Sequence, residues 1–560
     1  VFHLNIKRIV MKKINISILI ISIWMLFSCS DFLDTEDLTQ KNSSNFPQTS
    51  EDVFSSLLSA YAAIGEIKDP YWQTFFLLAE TMSDDRFGGG STVDRMILAV
   101  NEYKKSQDNM YSGIWSKYYR GIYRTHFTLE SIDRVVWESE EQKNKILGQA
   151  YFLRAYMYFD LCRLFGTVPL VLSTQVESLP KASPEELYGC IFSDLKKAIE
   201  LLPSTSLANI QDTEKSLATK WAAQALLARV YLFYSGYYKN SSIELSDQTV
   251  LDKEYVIRNI DDCIANSGHG LISDFRNLWP YSLSNKEYGY AKNNQLEWIG
   301  ENGDNVETVF AWKYSTLLWK GFSNKINLYF GIKGQDQIPF GKGWGFGTVN
   351  PQLYEQWPDD DIRKKASIYY VDDPEEGTTG FIWNGENNQQ ETGYWQKKYM
   401  PINVRNAEGN IVNYSCEMYG ATTNFQENNT QDLVVIRFAD VLLMGAELGS
   451  VHAQKYLDQV RKRVGLPSVP VTLDNIKKER RYELAFEGVR YYDLLRWGDA
   501  EKEINKIVDV PARTMNVPIK VTVKFRPETG GFLPIPENEI LLSNGVLVQN
   551  PGWTGTDALY

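Results

Sequence analysis

The chain is short of the residues on which most protein chemistry depends. It has 4 histidines in 560 residues, widely separated and without an HExxH pair, which argues against a histidine-built metal centre. Positive charge is scarce as well, with 58 Lys and Arg against 70 Asp and Glu and a net charge of −12. A nucleic-acid surface needs clustered Lys and Arg to displace counterions, and no basic stripe appears, so nucleic acid is excluded as a partner. The 5 cysteines are scattered with no CxxC spacing, which excludes a zinc ribbon or a disulfide framework. No GxSxG elbow is present. "GKGWGFG" (341–347) lacks the Lys-Ser/Thr ending of a phosphate loop and reads as a flexible loop around Trp344. The one long apolar run, Ile14 to Phe27, is shorter than the roughly 20 residues a spanning helix requires.

That run follows Met11-Lys12-Lys13 and ends at Leu26-Phe27-Ser28-Cys29. A basic start, a short apolar core and a small residue make a secretory signal peptide, with Met11 as the expected initiator and residues 1–28 removed. The last four residues resemble a bacterial lipobox, in which Cys29 becomes the first mature residue and carries lipid. A multiply acylated cysteine anchors firmly, since each buried CH₂ contributes about 0.8 kcal/mol. The polar, acidic stretch 29–48 then reads as a tether.

What is plentiful is apolar and aromatic: 43% hydrophobic residues, 15 Trp and 33 Tyr. Such a chain folds around a large core, and flat rings suit both helix packing and stacking on sugars. Helical periodicity dominates residues 49–240 and returns over 432–500. "YFLRAYMYFDLCRLFG" is apolar nearly all round, relieved by Arg154, Asp160 and Arg163, and so predicts a central buried helix ended by Gly166. Ser183, Pro184 and Glu186 form a capping-box pattern. Small residues alternating with large ones, as in Trp221-Ala222 to Leu226-Ala228, let helices approach closely, in the manner of degenerate tetratricopeptide repeats. Residues 241–431 lose periodicity and predict an irregular portion with short strands such as "ETVFAWKY"; residues 501–560 predict an extended cap.

The most tempting catalytic stretch is "ERRYELAFEGVRYYDLLRWG", where Glu479, Glu483 and Glu487 recur every four residues. Paired carboxylates are the apparatus of glycoside hydrolysis, but Arg480, Arg481, Arg490 and Arg496 lie within reach as ion-pair partners and favour a structural role. No cofactor motif is present. "YVDDPEEGTTG" offers four carboxylates in a turn and is the one stretch suited to a structural calcium ion; without EF-hand spacing it reads as a solvated acidic turn.

Several runs occur together in one order. These include Cys29-Ser30-Asp31-Phe32-Leu33, Phe152-Leu153-Arg154-Ala155, Gly166-Thr167-Val168-Pro169, Arg437-Phe438-Ala439-Asp440, Glu479-Arg480-Arg481-Tyr482-Glu483-Leu484, Arg496-Trp497-Gly498 and Asn550-Pro551-Gly552-Trp553. They resemble the SusD/RagB family of outer-membrane nutrient-binding lipoproteins. The resemblance implies a mainly α, tetratricopeptide-like scaffold with a loop-rich ligand-binding portion. It also implies capture of glycans or other oligomers at the outer face of a Gram-negative outer membrane, and docking on a SusC-like TonB-dependent transporter. One departure is His126, where the family usually has Asn.

Two segments have the composition of a sugar site, in which flat apolar faces meet fixed hydrogen-bonding groups. "SDDRFGGGS" offers Asp85, Arg86 and Phe87; the later loop offers Trp319, Tyr329 and Trp344 for stacking, with Lys320 and Asn324 as polar partners. The expectation is a non-enzymatic, oligosaccharide-binding lipoprotein. A peptide-binding relative, a glycan-cleaving enzyme and a purely structural transporter subunit are the competing readings.

Overall fold

The computed structural model describes residues 46–65, 74–105, 109–175, 178–301, 305–316, 323–377, 381–383 and 387–554. Cys29, Trp319 and Lys320 lie outside these residues. The helices that build the first part of the scaffold are α1 (Ser50–Gly65), α2 (Phe75–Thr81), α3 (Ser112–Ser131), α4 (Glu140–Phe165), α5 (Pro184–Leu201) and α6 (Lys220–Tyr238), with a short helix Arg95–Asn101 between α2 and α3. Local chemistry sets their ends. Ser139 Oγ accepts from Gln142 N at 3.1 Å to start α4, which stops at Gly166 with φ +75°. Ser183 and Glu186 form the expected capping box on α5.

α4 is the centre of the scaffold, and every side chain from Phe152 to Phe165 is buried. Each large apolar side chain so buried contributes about 1.5–3 kcal/mol. The charged residues of this buried stretch are paired. Arg154 grips Asp194 of α5 at 2.6 and 2.7 Å, while Asp160 accepts from Tyr118 of α3 at 2.6 Å and pairs with Arg163. The same residues that relieve the apolar pattern therefore fix the helix to its neighbours.

The scaffold extends further than the periodicity predicted. Helix α7 (Lys253–Asn266) falls inside the stretch expected to be irregular; it buries Val256, Ile260 and Cys263 along one face, against α6. Strand β1 (Thr308–Trp312) pairs antiparallel with β2 (Leu433–Arg437), Leu433 opposite Trp312, and α8 (Phe438–Glu447) and α9 (Ala453–Arg463) follow. α1 packs on α3, α3 on α4, and each later helix of the run α4, α5, α6, α7, α8 and α9 on the next, the arrangement of a tetratricopeptide-like array. Between 267 and 431 the described residues form only short helices and strands paired two at a time. The carboxyl end is not simply extended. It holds a hairpin, Val510–Thr514 with Val517–Val521, and a short helix Glu537–Leu542, and Asn550 Nδ2 ties it to α4 by donating to Phe165 O at 2.9 Å.

The charged run predicted as scaffold is scaffold, but its partners differ from those expected. Glu479 and Glu483 lie on α10 (Leu473–Glu483), whereas Glu487 follows the helix's end, beyond Phe486 at φ +66°. Arg363 engages Asp361, Glu479 and Glu483; Arg437 engages Glu307, Glu483 and Glu487; Arg463 engages Glu307 and Glu483; Lys398 engages Glu487. All these side chains are at most 5% exposed, and they join residues over 120 positions apart. Arg480 instead bridges Asp440 and Asp493, and Arg496 on α11 (Arg490–Trp497) bridges Asp493 and Glu447. Burial opposes ionisation of Glu483, but Arg463, Arg437 and Arg363 outweigh it and hold the carboxyl well below its ordinary range. A group held so firmly ionised is unsuited to acid catalysis.

Two histidines are buried as neutral rings. Burial, with Arg154 beside it, pushes His126 down to about 4. Its Nε2 lies 2.9 Å from Val171 O and its Nδ1 3.3 Å from Arg154, so one nitrogen donates and the other accepts, as an asparagine amide would. Burial likewise pushes His269 down to about 4, with Nδ1 donating to Val306 O at 3.0 Å. Both forms are neutral at pH 7, but below about pH 6.5 the unfolded chain takes up protons that the folded chain refuses. Wild-type stability should therefore fall between pH 6.5 and 4. The gap between it and His269→Gln, measured by urea unfolding at pH 7.5 and 4.5, should narrow by about 2 kcal/mol. An unchanged gap would mean the ring is protonated when folded.

Candidate functional site

The two segments proposed to touch ligand do meet, but face to face through their backbones. Gly90 N donates to Gly345 O at 2.7 Å, Gly347 N to Gly88 O at 2.8 Å, and Phe87 N to Thr348 O at 2.8 Å. Gly89 has φ +68°, and a Cβ there would stand 2.4 Å from Gly345 O, so these glycines serve chain-to-chain contact. Their side chains turn inward. Asp85 pairs with Arg481 at 2.6 Å, Arg86 with Glu80 and with Gly347 O at 2.6 Å, and Phe87 is fully buried. Asn324 is also buried, accepting from Ile326 N at 3.0 Å and donating to Gln431 O at 2.7 Å. Tyr329 is buried 5.4 Å from the ring of Trp344. The structure thus places these five expected ligand contacts in the interior, each packed against or bonded to neighbouring segments. Trp344 stays half-buried on the core.

The acidic turn is likewise more anchored than solvated. Lys365 pairs with Asp373 at 2.9 Å and Glu375 at 2.6 Å, and Glu376 is buried against Lys397 at 2.7 Å. Among the described residues no group of three or more His, Cys, Asp or Glu is gathered around one point as a metal would need, and Cys162, Cys190, Cys263 and Cys416 are unpaired.

A partly open cavity of about 50 Å³ lies elsewhere, where α1, α2, α3, α4 and α6 meet the β1–β2 pair. The walls are aromatic: Phe75, Phe76, Tyr118, Tyr156, Trp312 and Tyr314. Antiparallel pairing brings Trp312 beside Leu433, and the Trp312 ring sits edge-on to Tyr156 at 5.5 Å, its Nε1 donating to the Tyr156 hydroxyl at 3.3 Å. Helices supply the polar groups. Arg163 of α4 is clasped among Phe159, Phe75 and Tyr492, with its guanidinium carbon 4.2, 4.4 and 4.8 Å from their ring centres. Arg229 of α6 holds Asp440 at 2.5 Å and donates to Val435 O at 2.9 Å. Thr74 Oγ1, Arg163 Nε, Arg229 Nε and Tyr314 OH are buried atoms of the lining residues with no hydrogen-bond partner among the described residues. Burial keeps the Tyr314 phenol well above its ordinary range, so it remains a hydroxyl.

Residues 278–553 match the profile described as the SusD family, and residues 31–232 match one described as starch-binding associating with outer membrane. The chain belongs to the SusD/RagB family. Among curated relatives, SusD-like protein P2 of Formosa agariphila is 25% identical over 573 residues, covering 97% of this chain and all of the relative. Among solved structures, a laminarin-binding SusD-like protein matches with TM-score 0.71 and 26% identity, covering 90% of this chain and 100% of its own. Surface glycan-binding protein A from Bacteroides fluxus matches with TM-score 0.72 and 24% identity over 90% of this chain and 100% of its own, which speaks for the fold. The mainly helical SusD-type fold is therefore established.

Sequence reading of this SusD/RagB chain missed the cavity's wall. A signal was present, since Phe310, Trp312 and Tyr314 alternate with period two in "ETVFAWKY". What no local pattern carries is that Trp312 at the end of this strand meets Tyr156 of α4, 156 positions earlier in the chain.

Proposed function

We propose that this protein is a surface lipoprotein that captures oligosaccharides at its surface, against the aromatic mouth of this cavity, and passes them, uncleaved, to a SusC-like TonB-dependent transporter in the outer membrane. The observation that supports it is the cluster of aromatic side chains in a SusD-type fold whose laminarin-binding neighbour shares 26% identity. Binding without cleavage fits the chemistry of the lining. Among its described residues Glu487 is the one carboxylate, and both its oxygens are held, by Arg437 and Lys398. Glycoside hydrolysis uses two carboxyl groups with separate roles. Association with the outer membrane is in keeping with the family description, and Cys29 is the residue through which lipid would anchor the chain.

Affinity electrophoresis in gels cast with laminarin, starch or other polysaccharides tests the reading. Retarded migration in at least one glycan, with no shortening of the polymer, is the expected result. Uniform migration in all of them, or released oligosaccharides, would contradict it.

A further inference from the structure

Two borders of the cavity are the start of α2, with Thr74, Phe75 and Phe76, and the turn that joins α10 to α11, with Glu487, Gly488 and Val489. The turn is strained. Phe486 lies in it at φ +66° and Gly488 at φ +74°. The left-handed region is sterically unfavourable for a phenylalanine. Residues so strained persist where their surroundings over-determine them, and they gather at binding sites.

Successive residues along α2 hold this turn and the helix that follows it. Phe75 stacks on Tyr492 of α11 at 5.4 Å. Phe76 packs on Gly488 so closely that a Cβ there would stand 3.1 Å from its ring. Glu80 lies four residues after Phe76 and shares its face of the helix. Its Oε1 accepts from Gly488 N at 2.7 Å, and its Oε2 from Arg86 Nε. Arg86 in turn lies over the rings of Phe330 and Phe486, 4.2 and 4.6 Å from their centres, and donates to Gly347 O at 2.6 Å. One carboxylate thus fixes the turn twice, at Gly488 directly and at Phe486 through Arg86. The Glu80 side chain is 2% exposed and that of Arg86 fully buried, so solvent screens neither. Arg437 and Lys398 hold Glu487 in the same turn.

Resting on the glycan-capture reading, we infer that Glu80 is a positioning residue for capture: by bridging Gly488 and Arg86 it sets the gap between Phe75 of α2 and the Glu487–Val489 turn, so that the mouth is formed before a sugar arrives. A mouth formed in advance spares the ligand the cost of ordering it. Both partners of Glu80 are donors, so its side chain must accept twice. A glutamine in its place offers one oxygen and turns an NH₂ against the other donor.

The test separates affinity from stability. Affinity is measured by electrophoresis through graded concentrations of the polysaccharide that retards the wild type, laminarin and starch being tried first, and stability by thermal unfolding. The chains are wild type, Glu80→Gln and Asp194→Asn, the last disturbing the buried pair of Asp194 with Arg154, neither of which lines the cavity. Both variants should unfold at lower temperature, but Glu80→Gln should bind about tenfold more weakly while Asp194→Asn stays within about threefold of wild type. Equal affinities of wild type and folded Glu80→Gln, or equal losses in both variants, would overturn the inference and leave glycan capture standing. If Glu80→Gln does not fold, hydrogen exchange on the wild type decides. Peptides covering 74–81 and 484–489 should be protected without glycan and change little when it is added; a large gain in protection there would mean that the ligand orders the mouth, and would overturn the inference. If no polysaccharide retards the wild type, the capture reading falls and the role of Glu80 falls with it.

Discussion

Arg437→Leu should destabilise the protein by about 4 kcal/mol, among the largest effects of any single change. The side chain is 3% exposed and touches Glu307, Glu483 and Glu487, which come from the loop-rich portion, from α10 and from the turn beyond it. Removing the guanidinium leaves Arg463, Arg363 and Lys398 to share those buried carboxylates, and an uncompensated buried charge costs far more than a surface pair returns. The measurement is urea unfolding at pH 7 alongside Lys143→Ala, whose partner Asp133 is 81% exposed and whose loss should leave the midpoint unchanged. A cost for Arg437→Leu below about 1 kcal/mol would show that the network is not what joins scaffold and loops. The acid limb carries the same sign. Carboxyls held low stabilise above their ordinary pKa and lose that contribution as pH falls through the folded value. Wild type should therefore lose more stability than Arg437→Leu on going from pH 7 towards pH 3.

The second large effect is on binding. Phe75→Ala combined with Tyr314→Ala removes one wall aromatic from α2 and one from just beyond β1. Each stacking face is worth about 1.4 kcal/mol, so affinity for the captured oligosaccharide should fall about a hundredfold. Circular dichroism distinguishes loss of the site from loss of the fold, since Phe75 also stacks on Tyr492 at 5.4 Å. An affinity within threefold of wild type would place the sugar elsewhere.

The helices were legible wherever a cap or a nearly all-apolar face announced them, as with Ser183 on α5 or Phe152 to Phe165 on α4. α7 was missed although Val256, Ile260 and Cys263 recur at i, i+4 and i+7, because three apolar positions among many charged ones make a narrow stripe, and a short strand, Val250–Asp252, runs directly into it. The structural role of the Glu479–Glu487 run was legible from nearby arginines, but the partners were not: Arg363 and Arg437 arrive from distant segments. The ligand residues fared worst for a physical reason. Asp85, Arg86, Phe87, Asn324 and Tyr329 have the chemistry of a sugar site, and the same chemistry fastens irregular loops to each other. Composition alone does not tell a side chain that reaches ligand from one that holds a glycine turn in place.

Calorimetric titration of the soluble chain beginning after Cys29 against a panel of oligosaccharides, for wild type and the Phe75→Ala/Tyr314→Ala variant, with chromatography of the sugars afterwards, tests the central claim most directly. The account predicts saturable wild-type binding to one glycan class, loss of that binding in the variant, and recovery of every sugar intact. Binding that the variant retains, or sugars returned as shorter products, would contradict it.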